Sequence, residues 1–361
     1  MKKMITLLLL LAPVLFGGCK VESTDPPDPE PQGPGYFIRG ADLSFLPDIQ
    51  AASILFYTSG GVQKDMLSQF KDAGCNTVRI RLWHTPAENT SSLPVVKQFA
   101  QQVKAAGMGV WLCIHYSDTW ADPGQQTVPV AWAGLPADVL GDSIYAYTFK
   151  VIQTLEPDFV QTGNEVNDGF VWPQGRISTG GKFHDLMARA VSAGRAARPQ
   201  TRIMVHYAGV NGAVNFFSQL GAKNLEYDIA GISYYPVWHG KDLGYVQSVL
   251  ASLGKSTGKA VVIAETAYPF TLDWADNTHN LIGLPEHLLP EYPASPEGQK
   301  GFLLKVKQMT GSFTQGAGFC YWGGEWVAYK GSQATNGSSW ENQALFDFNF
   351  KGLPALEAFS E

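Results

Sequence analysis

The stretch DFVQTGNE occupies residues 158–165, and KAVVIAETAYP occupies residues 259–269 further along the chain. Both consist largely of apolar residues that favour β-strands. Each carries one glutamate at or near its carboxyl end, Glu165 in the first and Glu265 in the second. The two stretches therefore predict two buried strands that each present a carboxylate where the strand ends.

Short β-rich runs alternate with longer amphipathic helical runs over most of the chain. Besides the two stretches above, the strand candidates are residues 36–44, 76–84, 109–118, 201–208, 229–236 and 317–326. Helical patterns lie between them, for example at 62–74, 181–198 and 295–313, and several are stopped by glycine or proline. Eight such units predict an α/β fold, a (β/α)8 TIM barrel that forms one catalytic domain over residues 36–361.

A doubly wound parallel sheet is the alternative to the barrel. Such a sheet needs a glycine-rich loop after its first strand to hold a phosphate group. The corresponding segment of this chain, RGADLSF at residues 39–45, lacks that pattern. We therefore expect the barrel.

The amino-terminal segment differs in composition from the rest of the chain. A basic start, a short apolar run and the sequence FGGC ending at Cys19 predict a lipoprotein signal peptide over residues 1–18, with lipid on Cys19. Ordinary cleavage nearby is the alternative, because Phe16 is unusual three positions before such a cysteine. Residues 19–35 are rich in proline and acidic side chains, which is typical of an extended tether. We expect a lipid-anchored protein outside the cytoplasm, on the outer-membrane surface of a Gram-negative bacterium.

Charge and composition exclude some classes of partner. The formal net charge of -6 offers no electrostatic footprint for nucleic acid or for an anionic membrane surface. The ten tryptophans suit stacking against sugar rings as well as core packing. Beyond Cys19 the chain has three cysteines, an odd number that predicts buried thiols and no disulfide framework. We expect a monomer that acts on an uncharged substrate.

Polar side chains collect at the carboxyl ends of the predicted strands. In a barrel these ends meet at one mouth, where the functional groups of such enzymes lie. The side chains concerned are Asp42, Arg81, Trp83, His84, His115, Asp118, Asn164, Glu165, Tyr234, Tyr235, Glu265, Trp322 and Glu325. A carboxylate at a strand end, taken alone, also fits a helix cap or a salt-bridge partner. Their convergence at one mouth predicts an active site.

The two glutamates suit hydrolysis of a glycosidic bond with retention of configuration. Their two strands, 158–165 and 259–269, are strands 4 and 7 in chain order and lie nearly opposite each other across a barrel mouth. Retention needs an acid and a nucleophile with carboxyl groups roughly 5–5.5 Å apart. The acid must hold its proton near neutral pH, and partial burial beside a negative nucleophile raises its pKa in that direction. When the nucleophile is esterified, that pKa falls and the same carboxyl group can act as a base.

Six motifs carry a resemblance to a known family. They are GADLS (40–44), NTVRIRLW (76–83), HYSDTWADPGQQ (115–126), QTGNE (161–165), GISYYP (231–236) and ETAYP (265–269). In this order they resemble the arabinogalactan endo-1,4-β-galactanases, glycoside hydrolase family 53 in the clan of retaining (β/α)8 glycosidases. The resemblance implies endo-hydrolysis of β-1,4-galactan, a pectin side chain, and binding of its galacto-oligosaccharides. A clan relative acting on mannan or xylan and a non-catalytic surface glycan-binding protein are the alternatives.

The resemblance also implies roles for individual residues. Glu165 would be the acid/base and Glu265 the nucleophile, while Asn164 would donate a hydrogen bond to the sugar 2-hydroxyl. Arg81 or Arg79 would keep Glu265 ionised. Strand alternation places both arginines on the same face, and we favour Arg81 because it lies nearer the strand end.

Further residues are expected to bind substrate by the same resemblance. Tyr234 or Tyr235 would hydrogen-bond the nucleophile, and Trp322 would form the floor of the subsite for the cleaved sugar. Asp122 and Gln125 would contact neighbouring galactose units. The remaining expected binding residues are Trp83, His84, His115 and Asp118.

The segment after strand 7, residues 270–295, is too long for a simple connection and should lie over the cleft. Bacterial members of the resembled family place a calcium ion in this loop. By that resemblance Asp273, Asp276, Asn280 and the carbonyl of His279 would supply the oxygen ligands that a structural Ca2+ prefers. A solvated polar lid without a metal is the alternative.

Overall fold

Eight parallel strands close into a barrel in the computed structural model of the protein, which describes residues 36–361. The strands are β1 (Ile38–Asp42), β2 (Thr77–Leu82), β3 (Gly109–Ile114), β4 (Phe159–Thr162), β5 (Arg202–Ala208), β6 (Ile229–Ser233), β7 (Ala260–Thr266) and β8 (Gly316–Trp322). Each strand pairs with its neighbours in chain order, and β8 closes the barrel by pairing with β1. The (β/α)8 barrel predicted from the sequence is confirmed.

The α-helices of the described chain form the outer layer. They are α1 (Leu46–Ala51), α2 (Met66–Asp72), α3 (Leu93–Ala105), α4 (Ala137–Leu155), α5 (Phe183–Ala197), α6 (Ala213–Ala222), α7 (Pro236–His239), α8 (Leu243–Thr257) and α9 (Pro296–Gly311). Short 3-10 turns lie at Val130–Trp132, Ile177–Thr179, Pro285–His287, Glu341–Gln343 and Pro354–Phe359. The main core joins strand residues such as Val78 to helix residues such as Phe99 and Phe302.

Helix ends follow local sequence signals. The side chain of Asp242 caps α8 by accepting a hydrogen bond from the backbone of Tyr245, and the helix ends at Gly258 with a φ of 65°. Ser295 caps α9 in the same way, and Pro296 occupies the first helical position, where its missing N–H costs nothing. Such signals determine where each helix begins and ends, and therefore where the next strand begins. With all eight strands parallel, their carboxyl ends lie at one mouth of the barrel.

The barrel interior changes from apolar to polar along the strands. Its floor is filled by Ile38, Trp111, Phe159, Met204, Ile229, Ala260, Val262, Ala264, Ala317 and Cys320. Two residues beyond Trp111, Phe159 and Met204, the buried positions are Cys113, Gln161 and His206. Because side chains alternate along a strand, these three lie on the same inward face but nearer the mouth. The barrel therefore has a packed floor and a polar mouth.

A break in strand register turns one glutamate into the barrel. β6 and β7 pair Ile232 with Ile263, but the next pair is Ser233 with Glu265, so β7 carries one extra residue at this point. Ala264 already packs inward, and regular alternation would have turned Glu265 toward the helices. A β-bulge of this kind re-aims a side chain, and bulges are common beside active sites.

The three cysteines of the described chain are buried and free, as predicted. Among residues 36–361, no helix combines the length and the apolar character that a membrane crossing requires. The predicted signal peptide at 1–18, the lipid on Cys19 and the tether at 19–35 lie outside the described residues.

Candidate active site

A cavity of about 530 Å³ opens where the strands end, and both Glu165 and Glu265 face it. Its other lining residues are Asp42, Arg79, Arg81, His115, Trp120, Ala121, Asp122, Pro123, Asn164, Ala208, Tyr235, Trp238, His239, Leu281, Trp322, Trp326, Ser339 and Trp340. Aromatic walls with a few converging polar groups are typical of small-molecule sites, and tryptophan faces suit sugar rings. The cavity is therefore the candidate active site.

A tight turn after β4 places Asn164 and Glu165 at the mouth. Gly163 and Glu165 adopt left-handed backbone conformations, with φ of 82° and 48°, which non-glycine residues adopt rarely and mostly where function requires it. Gln126 Nε2 donates to the carbonyl of Asn164 at 2.7 Å, and Asn164 Nδ2 donates to the carbonyl of Ala121 at 2.9 Å. These side-chain bonds hold the turn in place.

Glu265 lies among charged and polar partners. Arg79 donates from Nη2 to Glu265 Oε1 at 2.7 Å and from Nη1 to Asp42 Oδ2 at 2.6 Å. The hydroxyl of Tyr235 donates to Glu265 Oε2 at 3.2 Å. Burial raises the pKa of Glu265, whereas the charge of Arg79 and these hydrogen bonds oppose the rise. Both carboxylate oxygens thus have donors that favour the ionised form.

The preference for Arg81 over Arg79 as the partner of Glu265 is wrong. Both side chains are buried, but Arg81 starts two residues nearer the mouth. Its guanidinium lies against three aromatic rings, the nearest being Trp120 with 4.0 Å between the guanidinium carbon and the ring centroid. Burial lowers the pKa of Arg81 to about 10. Arg81 therefore braces an aromatic wall of the cavity, and Arg79 alone of the two bonds Glu265.

Glu165 lies among neutral partners. The Ser233 hydroxyl donates to Glu165 Oε1 at 2.5 Å, and Ser233 Oγ also lies 2.9 Å from His206 Nε2. Burial, and after it the negative charge of Glu265, raises the pKa of Glu165 to about 8. Of the two carboxyl groups, Glu165 therefore holds a proton at neutral pH, while Glu265 is kept ionised by Arg79.

Tyr234, the alternative to Tyr235, does not reach the cavity. It is fully buried, its hydroxyl donates to the carbonyl of Gly240 at 3.0 Å, and its ring stacks near Phe302 of α9. Neighbouring residues in extended chain point to opposite faces, so only one of the two tyrosines can face inward. Tyr235 is the one that the structure brings to Glu265.

The other predicted binding residues fall into two groups. His115, Asp122, Asn164 and Trp322 line the cavity. The ring of Trp322 stands edge-on to Trp340, with 4.9 Å between the ring centroids. The structure therefore brings these four residues together with the two glutamates.

The second group lies outside the cavity. Trp83 and Asp118 line a neighbouring groove of about 400 Å³, and the Asp118 carboxylate accepts hydrogen bonds from two backbone N–H groups of adjoining loops. His84 packs between two aromatic rings, and Gln125 is exposed at the tip of its turn. These four residues do not line the cavity, so the structure does not place them where they were expected to contact substrate.

Several residues of the site were missed by sequence reasoning. Gln161 Oε1 accepts from Arg79 Nε at 3.0 Å, and Gln161 Nε2 lies 2.9 Å from His206 Nδ1. Both polar residues occur in otherwise apolar strands, and that contrast was the available signal. The cavity tryptophans Trp120, Trp238, Trp326 and Trp340 lie beyond the strands, where no periodicity predicts their orientation.

The buried oxygen atoms without hydrogen-bond partners in the loops after β7 and β8 include Asp276 Oδ2, Asn280 Oδ1 and Glu341 Oε2. Glu341, which was not predicted, lies beside the other two, while the side chains of Asp273 and His279 are exposed. Within residues 36–361, no group of three or more His, Cys, Asp or Glu side chains is placed to hold a metal ion. Any cation here would need amide and backbone oxygens as well.

Comparisons with known proteins identify the family of the chain. The sequence model of Glycosyl hydrolase family 53 matches residues 38–359. An arabinogalactan endo-beta-1,4-galactanase of Cellvibrio japonicus is 34% identical, over 90% of this chain and 90% of its own. An endo-beta-1,4-galactanase of Bacillus subtilis is 30% identical, over 90% and 85%. The solved family 53 catalytic domain of Ignisphaera aggregans superposes with a TM-score of 0.85 at 35% identity, covering 91% of this chain and 97% of that one. The chain belongs to glycosyl hydrolase family 53.

Proposed function

We propose that the protein is an endo-1,4-β-galactanase that hydrolyses β-1,4-galactan with retention of configuration. The observation that carries the mechanism is the pair Glu165 and Glu265, which face one cavity from opposite electrostatic surroundings. The substrate class is supported by the relatives named as galactanases, which this chain matches over most of its length.

In the first step Glu265 attacks the anomeric carbon and Glu165 gives its proton to the leaving oxygen, so the bond electrons leave with that oxygen. The product is an ester between the sugar and Glu265. Esterification removes the negative charge that, together with burial, raised the pKa of Glu165. Glu165 is then a carboxylate able to take a proton from water, which attacks the ester and frees Glu265.

Neighbouring groups prepare this cycle. Arg79 and Tyr235 hold both oxygens of Glu265 before attack, which fixes the orientation of the nucleophile. The amide of Asn164 has two hydrogens, and the carbonyl of Ala121 takes one. We assign the other to the sugar 2-hydroxyl, with Trp322 as the platform under the cleaved sugar.

Incubation with linear galactan, mannan and xylan tests this proposal. We expect oligosaccharides from galactan alone, with Glu165→Gln and Glu265→Gln as inactive, folded controls. Turnover of mannan or xylan in place of galactan would favour the clan-relative alternative. Saturable galactan binding without any product would favour the glycan-binding alternative.

We also propose a structural Ca2+ in the loops over the cleft, held by Asp276, Asn280 and Glu341 with Asp273 and the carbonyl of His279. The support is the three buried, unpartnered oxygens of the first three residues, because a buried polar atom without a partner is costly and a hard cation prefers oxygen ligands. The ion would tie the two loops together and would supply no catalytic group.

Thermal unfolding with and without chelator tests the calcium proposal. A bound ion stabilises by about 2.7 kcal/mol when free calcium is a hundred times its Kd, so chelation should lower Tm by several degrees. Glu341→Gln should remove most of that difference in Tm. Glu357→Gln is the matched control, because Glu357 is exposed and pairs with Lys300, and this variant should keep the difference. A Tm indifferent to chelator and calcium would mean a polar lid.

A lipid anchor on Cys19 remains our proposal for localisation, and its support is the sequence of residues 1–35. From their composition, we expect residues 19–35 to act as a tether between the lipid and the catalytic domain. Cys19→Ser should release the protein in soluble form from the outer membrane. Mass spectrometry that finds the wild-type protein without lipid would remove the proposal.

A further inference from the structure

A chain of hydrogen bonds runs from Glu165 into the barrel wall. Ser233, the last residue of β6, donates to Glu165 Oε1 at 2.5 Å. His206 on β5 places Nε2 at 2.9 Å from the same hydroxyl oxygen. Ser233 and His206 are both fully buried, so water does not compete for these bonds.

The surroundings of His206 determine which of its nitrogens carries the proton. Nδ1 faces two donors, Gln161 Nε2 at 2.9 Å and the backbone N–H of Glu165 at 3.4 Å. The oxygen of Asn164 lies 3.1 Å away, but it already accepts from Arg79 and Gln161. Nδ1 therefore acts as the acceptor, and the proton lies on Nε2. From there it is donated to Ser233 Oγ, which leaves the hydroxyl hydrogen for Glu165.

We propose that Ser233 and His206 are positioning residues for the acid/base: His206 orients the Ser233 hydroxyl, and that hydroxyl holds the Glu165 carboxyl and stabilises its ionised form. The proposal rests on the role of Glu165 in the proposed function. Ser233 and His206 transfer no proton, because the proton of Glu165 goes to the leaving oxygen and returns from water.

The proposed role matters because other groups act on Glu165 in both directions. Burial and Glu265 raise its pKa, while Ser233 lowers it. The titratable groups that face Glu165 or its bonded neighbours are Glu265, Arg79, Asp122, Tyr235, His115, His206 and His239. Burial and the charge of Arg79 hold the pKa of His206 well below its usual range. His206 thus stays neutral through the working pH range, so that Ser233 gives Glu165 a hydrogen-bond donor of constant strength.

The test is the pH dependence of kcat/KM on galactan for Ser233→Ala. The alkaline limb reports the loss of the Glu165 proton. Without the hydroxyl, we expect this limb to move about one pH unit upward, the size expected for one hydrogen bond to a charged group. Ser233→Cys keeps a weak donor in the same place and should give a smaller shift. His206→Leu should shift the limb in the same direction, because the Ser233 hydroxyl loses its orientation.

Thr162→Val is the matched control. Thr162 is also fully buried, on β4, and its hydroxyl donates to a backbone carbonyl of β5 at 3.2 Å. Its alkaline limb should stay in place. A uniform loss of rate in Ser233→Ala without a shift of the alkaline limb, or an equal shift in Thr162→Val, would overturn the proposed role of Ser233 and His206. Retention of galactan hydrolysis by Glu165→Gln would instead overturn the role of Glu165, so the two failures are distinguishable.

Discussion

The two sides of the barrel mouth hold the same kind of side chain in different ways. Besides the hydroxyl of Tyr235, Glu265 has a charged partner: Arg79 bridges it to Asp42, and these three charged side chains are largely buried. Around Glu165 the bonded partners are neutral, Ser233 and, behind it, His206. Two glutamates that line one cavity therefore meet opposite demands, one kept ionised and the other kept protonated.

The difference shows how one fold separates an acid from a nucleophile. A buried cation stabilises a carboxylate strongly but would also remove the proton that an acid needs. A neutral donor stabilises the carboxylate less, so burial and the charge of Glu265 can still raise the pKa of Glu165. The cation Arg79 lies on β2, whereas the neutral residues His206 and Ser233 lie on β5 and β6. The group that keeps Glu265 ionised is therefore separate from the groups that hold Glu165.

The largest effect is expected when either carboxylate is removed. Glu165→Ala should lower polymer hydrolysis by about 10²- to 10⁴-fold, the usual size of general acid–base catalysis. Glu265→Ala should lose at least as much, because no covalent intermediate can form. Rates on galactan and circular dichroism of both variants check activity and fold.

Azide separates the two roles with an activated aryl galactoside, whose leaving group needs no proton. The Glu165→Ala variant still forms the ester, so azide should yield a galactosyl azide of retained configuration. The Glu265→Ala variant should yield the inverted product by direct attack. The same stereochemistry from both variants would break the comparison.

An intermediate effect is expected at Arg79, which defines the charged side. Arg79→Met removes the cation from two buried carboxylates, Glu265 and Asp42. The acidic limb of kcat/KM should then move upward by about 1–3 pH units, because the charge of Arg79 no longer opposes the rise that burial causes in the pKa of Glu265. Unfolding measurements should also show a loss of about 3–5 kcal/mol, since a buried pair has lost one partner.

Arg81→Met is the informative partner of that variant. Its guanidinium contacts aromatic rings and does not bond Glu265, so the loss should appear in KM through a looser Trp120 wall. The acidic limb should stay in place. Equal shifts of the limb in both variants would mean that general charge, and not the Arg79 contact, keeps Glu265 ionised.

The barrel and both glutamates could be predicted because they depend on patterns in single segments. Alternating β-rich and helical runs specify the fold, and a glutamate at a strand end is visible in the sequence. The choice between Arg79 and Arg81 could not be predicted. Strand alternation gives the face of the sheet that a side chain occupies but not which group its far end reaches. The extra residue in β7 that turns Glu265 inward depends on pairing with β6, and no local signal marks it.

The neutral side was the harder one to foresee. Ser233 and His206 sit inside apolar strands, where a single polar residue is ordinarily a satisfied core group. The pairing of β4 with β5 and of β5 with β6 brings these residues beside the turn that carries Glu165. Glu341 was missed for the same reason, since it comes from a loop far along the chain from Asp276.

The smallest expected effect is on the pH dependence of stability. The pKa of Glu165 is raised from about 4.5 to about 8 in the folded state. Between those values the folded chain keeps a proton that the unfolded chain has lost, so stability falls as pH rises through this window. The slope is at most about 1.4 kcal/mol per pH unit, and relaxation around the part-exposed side chain should hold the total to about 2 kcal/mol.

Glu165→Gln removes this penalty, so its Tm should exceed that of the wild type by several degrees at pH 8 and by little at pH 5. Glu265→Gln should instead have a lower Tm than the wild type at pH 8. In that variant Arg79 loses one of its two buried carboxylate partners, and a buried cation with weaker compensation is costly. Thermal unfolding of both variants and the wild type at pH 5 and pH 8 measures the signs. If both variants were stabilised at pH 8, repulsion between the two glutamates would outweigh the Arg79 contact, and the charged side of the mouth would not be the stabilising one.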